Sequence, residues 1–535
     1  MTAEPNYASF EASQASSLLS TLPTSSSSDA IPGQQRDGQP TLSPLLPAYR
    51  PARELPFELA QHAQTYFEEG LLTGGLNFLL SLSSAKSNEA SLPVFVAPRA
   101  VLALAATIAV HPVFTSRTVA RDRWEQAHAA LRLLRLSLTS VGPVEARLAE
   151  AFAFRNYGGG AFGGNDNEDD DYVDDYSGRA HNQRAASGRG SRRSEDLKIR
   201  FAEGDSVWAR AEDFWEVVGW ALNCSCLADR YCERWKWWQP WLEFMVDALE
   251  ADWALHYESQ TVEESIIWHY VELASGGYAR SRRMMRAIFA DGSQKSLNEF
   301  GEVFRNELKA PAEKRRIMKR PRDVQKVDVD KDVSRASSRS SKSSVDHDER
   351  GWTRTGNLTL SQCRPASLQL RMRLLHLLSH VSGVATQTSS APSTFVDLDE
   401  LYDNFVEWIK PLQLEVFQQM ISASTAASRR FGMDAHTTLC EMALQWMLES
   451  AAPSVRADRF LTRDKLVKQY LPFAGGAAEV TEQAKVGICL ETLLRRAVDV
   501  GLVGAEDVEE VRRAVEEGAE KRAGIARAVV DMIPS

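Results

Sequence analysis

Nine of the thirteen tryptophans lie between residues 208 and 268, and four of them fall within Cys232 to Trp241, CERWKWWQPW. An indole brings a large apolar body and one N–H that needs a partner when buried. Such a density leaves two outcomes: the rings build the centre of a domain, or they form a surface for something else. The spacing favours the first. At 100° per residue Trp208, Ala211, Trp215, Val218, Leu222 and Cys226 share one helical face. Pro240 suits the first turn of a following helix, on which Trp241, Leu242, Met245, Val246, Leu249 and Trp253 share an arc opposite Glu243, Asp247 and Glu250. Indoles that do not all fit inside mark an interface, with Trp237 or Trp238 as the exposed anchor of a partner-binding groove.

Other chemistries fit this block less well. Base stacking needs exposed aromatics together with cations that follow phosphate. Arg230, Arg234 and Lys236 supply charge, but the next helix is acidic on one side. Cys224, Cys226 and Cys232, with His256 or His269, invite a zinc reading. Their spacing lacks the repeated cysteine pairs of structural zinc sites, and on a continuous helix they diverge. His376 and His380 in RLLHLLSH stand four apart, but Leu377 occupies the place where a zinc protease carries its glutamate, and the pair falls off the apolar stripe. No phosphate loop, dinucleotide fingerprint or nucleophile elbow occurs. The expectation is therefore no catalytic residue, no cofactor and no metal.

Three polar stretches divide the chain. Residues 1–52 are rich in Ser and Pro, 155–203 run from YGGGAFGG through NDNEDDDYVDD to basic RAASGRGSRRS, and 309–363 join KRRIMKRPR to SRASSRSSKSS. Each has too little apolar surface to offset the entropy of ordering and reads as disordered. Helical blocks remain at 53–154, 204–308 and 364–535. The apolar run Ala100 to Val110 is too short to span a bilayer and reads as a core helix ended by His111-Pro112. Six cysteines in 535 residues are too sparse for a disulfide scaffold. The N-terminus lacks the pattern of a secretory signal. A soluble intracellular protein is expected.

Within the first block, Leu59 to Leu82 has Tyr66, Phe67 and Gly70 closing one helix and Gly75, Leu76, Phe78 and Leu79 on a second. These 24 residues resemble one tetratricopeptide hairpin, with Gly75 where that pattern usually has alanine. No second copy follows at a 34-residue period, so the resemblance implies an antiparallel helix pair and no array. In the third block, Asp399–Ile409, Leu439–Leu448 and Ala484–Val500 carry helical periodicity. A last helix from about Glu506 to Met532 has a stripe interrupted by Gly518 and Arg522, which suits packing on its own domain better than a coiled coil. The fold class expected is all-α: an irregular helical-hairpin array, solenoid or bundle-like, with long disordered insertions.

Lys314, Arg315, Arg316, Lys319, Arg320 and Arg322 have the composition read by nuclear import receptors, and Ser338 lies in a context suited to basophilic kinases. Arg280, Arg282, Arg283 and Arg286 sit on a predicted helix as candidates for phosphate or acidic-peptide contact. The net charge of -10 argues against coating nucleic acid along the whole chain. The reading is a nuclear, non-catalytic scaffold or adaptor that binds protein partners in a larger complex, in chromatin or DNA maintenance, with cytoplasmic placement as the alternative. Rival readings are nucleic-acid binding through 280–286 and 314–322, ribosome assembly and, further off, an enzyme.

Overall fold

The computed structural model describes residues 48–84, 92–154, 197–274, 280–311, 364–385, 398–421, 432–453 and 461–531. The 1–52 tail apart from its last residues, most of 155–203, the basic residues 314–322 and Ser338 lie outside them. The fold is all-α. Among the described residues the only paired strands are β1 (Ala52–Glu54) and β2 (Val94–Val96), a parallel pair that ties the start of the first block to the entry of its third helix.

The first block contains α1 (Phe57–Glu68), α2 (Leu72–Ser84), α3 (Arg99–Val110), α4 (Arg121–Glu145) and α5 (Leu148–Ala151). The pair α1 and α2 is the hairpin expected from Tyr66 to Leu79, with Phe67, Leu76 and Leu79 buried. The apolar helix α3 is buried along nearly its whole length and stops at His111, whose Nδ1 accepts from Val113 N (3.3 Å) as Pro112 opens a short 3-10 turn. The leucine stripe of α4 is internal through Leu138, and Pro143 breaks the helix near its end.

The tryptophan block builds α6 (Val207–Arg210), α7 (Phe214–Cys226), α8 (Asp229–Glu258), α9 (Ile266–Glu272), α10 (Arg280–Ile288) and α11 (Gln294–Glu299). Two helix boundaries depart from the periodicity. Residues 208–226 are not continuous: the Asp213 carboxylate accepts from Glu216 N (2.8 Å) and starts α7 afresh, leaving Trp208 on its own short turn. Pro240 does not open a helix but sits inside α8. It has no N–H to give to the carbonyl four residues earlier, and the packing of Trp238, Trp241 and Leu242 in the core carries the helix across the gap.

The third block contains α12 (Pro365–Ala385), α13 (Leu398–Ile409), α14 (Leu414–Ile421), α15 (Gly432–Met447), the short α16 (Arg463–Lys465) continued by a π-helical turn at Leu466–Tyr470, α17 (Val480–Asp499) and α18 (Val508–Asp531). The interruptions in the last stripe have a use. A Cβ on Gly518 would stand 1.9 Å from the Leu471 carbonyl oxygen, so only glycine lets α18 lie against that segment. Arg522 then donates to Phe473 O (2.8 Å) and Lys521 to Pro472 O (3.0 Å).

One buried apolar cluster runs through all three blocks. The acidic side of α8 takes part in that union. Arg373 of α12 bonds Asp247 (2.6 Å) and Glu250 (2.7 Å), and Trp253 of α8 donates to His380 Nδ1 (2.8 Å). Arg371, wholly buried, reaches the carbonyls of Ile288 and Ala290 (2.8 Å) at the end of α10. His376 is buried, against the boundary or surface position expected for the pair, because α12 packs on α8, α13 and α15, whereas His380 is half-buried at the boundary, as expected.

Candidate partner-binding groove

Inside CERWKWWQPW the side chains divide by direction. Trp235, Trp238 and Trp241 are buried, and so is Arg234. Arg234 Nε meets Glu307 Oε2 at 2.7 Å, while its Nη atoms reach Thr115 Oγ1 (2.8 Å) and Val110 O (2.7 Å) at the end of α3. The same Glu307 oxygen accepts from the indoles of Trp220 (2.9 Å) and Trp238 (3.3 Å), and Oε1 accepts from Phe304 N (2.8 Å). A buried carboxylate is tolerable when a charge partner and several donors surround it. This hub fastens α7 and α8 to α3 and to the 304–307 turn. Arg234 is therefore not a surface charge, and Trp238 is not an exposed anchor, since both point at Glu307.

Other buried indoles are also spent, although the Trp235 N–H is buried without a hydrogen-bond partner among the described residues. Trp208 donates to Ala103 O (3.0 Å), Trp215 to Tyr270 O (2.9 Å) and Trp241 to Ala106 O (3.0 Å). Of the nine tryptophans between 208 and 268, Trp237 alone is not buried. Its ring lies against His128 of α4, with centroids 5.0 Å apart, and its indole N–H makes no hydrogen bond among the described residues.

Trp237 lines an open groove of about 460 Å³ between the first turns of α4, the 115–119 loop and the first half of α8. The turn spacing of α4 sets Trp124, His128 and Leu131 along the groove. Trp124 is 40% exposed and Val119, beside it, 72%. Trp124 has its indole N–H on Thr115 O (2.9 Å), and His128 Nδ1 lies 2.8 Å from Trp124 O, so both rings are held. At the rim, Lys236 pairs with Glu233 (2.8 Å) and Arg230 is exposed, with no ion-pair partner among the described residues. Among the described residues the arrangement presents fixed aromatic faces, one unused N–H and an unmatched positive charge.

The arginine helix α10 differs from its surface reading. Arg283 lies 3.3 Å from Asp213 and 3.5 Å from Glu212, over the Phe300 ring, and Arg286 Nε is 2.9 Å from Glu299. These carboxylates compete with any phosphate. Arg280 is half-buried and Arg282 is exposed. Sequence reasoning could not find Glu307 or Arg373, whose partners stand far off in the chain. Trp124 and His128 carried a legible signal, an aromatic pair four apart on α4.

Cys224 is buried in the apolar centre of α7, which pushes its thiol well above the usual range. Among the described residues no three His, Cys, Asp or Glu side chains stand close enough to hold a metal ion, and no helix is long and apolar enough to cross a membrane. Searched against known protein families and against curated proteins, the chain matches none of them.

Proposed function

We propose that this chain is a non-catalytic nuclear scaffold or adaptor that binds protein partners within a larger complex, with chromatin or DNA maintenance as its setting. The Trp124–His128–Trp237 groove is the observation that carries the binding reading. A chain that buries the other indoles of its richest block, and holds two aromatic rings rigidly at an open groove, presents preorganised apolar area at low entropic cost. The nuclear assignment rests on the six cations of KRRIMKRPR.

The test is affinity purification of the tagged chain from its own cells after nuclease treatment, with mass spectrometry of what remains. The expected result is a stoichiometric set of proteins that survives nuclease and is depleted by Trp237→Ala. Partners lost on nuclease treatment, and insensitive to Trp237, would replace this reading with nucleic-acid binding through 280–286 and 314–322. In parallel, replacing Lys314, Arg315 and Arg316 by alanine should move a fluorescent fusion from nucleus to cytoplasm; unchanged nuclear signal would remove the import role.

A further inference from the structure

We infer that the groove takes an extended, proline-containing peptide of another protein, with an acidic residue beside the prolines. The inference rests on the adaptor reading and names the chemistry of its partner. A polyproline II segment has no internal hydrogen bonds, leaves its carbonyls bare, and presents rings and alternate side chains to aromatic grooves. Each requirement has a counterpart here. Trp124 and Trp237 offer flat apolar faces, with His128 against Trp237 at 5.0 Å. The indole N–H of Trp124 is already spent on Thr115 O, whereas that of Trp237 is unspent and suits a bare peptide carbonyl.

Charge fixes the flanking residue. The Lys236–Glu233 pair balances itself at 2.8 Å, and Arg230 is left over among the described residues, so the rim attracts an anionic side chain. The same sign argues against the chain's own basic segment as occupant. KRRIMKRPR follows soon after Pro311, which borders the groove, and its six cations would meet Arg230 and Lys236. The chain's acidic run, NDNEDDDYVDD, contains no proline. The Ser- and Pro-rich stretch 1–47 does set prolines near acids, at Glu4-Pro5, Asp29 to Pro32 and Asp37 to Pro40. The adaptor reading commits the groove to a segment in trans, and a several-fold gain in affinity for that segment when Pro5, Pro32, Pro40 and Pro44 are replaced by glycine in the full chain would assign the groove to the chain's own stretch and overturn the proposal.

The experiment is fluorescence polarisation of the full chain with a labelled probe, Asp-Glu-Pro-Pro-Leu-Pro-Pro-Glu-Asp, against a control in which glycine replaces every proline. Saturable binding of the probe, at least tenfold tighter than the control, is expected. Trp237→Ala should abolish it. Trp237→Phe, which keeps a ring and removes the N–H, should weaken it several-fold, and Arg230→Glu, at an exposed position, should weaken the acidic probe but not one with glutamines in place of the acids. Equal binding of probe and control, or no effect of Trp237→Ala in a protein with unchanged circular dichroism, would overturn the proposal. If the purification set still depends on Trp237 while the probe fails, the proline chemistry is wrong and the adaptor reading stands. If neither depends on Trp237, both fall.

Discussion

Glu307 and Arg234 show what single side chains do in this protein. Removing one member of a buried ion pair leaves the other charge uncompensated, a loss of roughly 3–5 kcal/mol. Glu307→Ala should therefore lower unfolding stability by about that amount in urea titrations, and Arg234→Met, which leaves Glu307 with its three N–H donors, should cost less. A Glu307→Ala loss under 1 kcal/mol would contradict the hub. Trp237 and Trp238 make the complementary case. Trp237→Phe should reduce acrylamide quenching of the protein's emission, while Trp238→Phe should not. Neighbours in sequence with opposite fates illustrate what the pattern hid: periodicity placed both on a helix, but only the positions of α4 and Glu307 decide which ring is covered. Arg234 was unreadable for the same reason, since its carboxylate lies 73 residues away.

Protonation belongs at this scale too. Burial holds His111 and His376 down at about 3 and His436 at about 4. The unfolded chain binds protons at these positions below about pH 6.5 and the folded chain does not, so stability is full above that value and falls as pH drops toward 4. Asp252 acts oppositely. Burial raises it to about 7, so its stabilising share is full below the ordinary carboxylate range and is lost as pH rises through 7. Three histidines outweigh one aspartate, and net acid destabilisation is expected. His376→Leu, which also removes a buried Nε2 without a hydrogen-bond partner, should flatten the pH dependence between 6 and 4 by about 1 kcal/mol per pH unit. A slope identical to wild type in denaturant titrations would refute this.

Elements are held at close approaches that the sequence marks only as glycine. Gly219 on α7 faces the Phe300 ring, where an added Cβ would come within 2.3 Å. Gly219→Ala should displace α7 from the 300–307 segment and cost about 1–3 kcal/mol through overpacking, measurable as a lower urea midpoint with the m-value unchanged. An ordinary surface-helix gain from replacing glycine by alanine would be the contrary result. Helix existence was legible almost throughout: the apolar run of α3, the leucines of α4 and the last stripe all fold as their periods require. Helix ends were not, because Asp213 as a cap and Pro240 inside a helix are decided by local hydrogen bonds and by the packing on either side.

At the scale of the molecule, the three sequence blocks do not keep separate cores. The acidic side of α8 showed no partner in the sequence because Arg373 arrives only after the whole 309–363 stretch. With Trp253 on His380 and Arg371 on the carbonyls at the end of α10, the second and third blocks share their interior. Their unfolding should accordingly superimpose when followed by tryptophan emission and by far-UV circular dichroism. Two well-separated transitions would show that the blocks fold independently.

The clasp of Arg371, Arg373 and His380 upon α8 and α10 has a further consequence. None of those contacts uses the peptide bonds of 312–363, so covalent continuity and structural unity are separable in this protein. Halves made as two polypeptides, divided within that stretch, should find each other and reconstitute the native assembly. Parting the chain there would leave the second and third blocks together, with the groove at Trp237 intact on the first fragment.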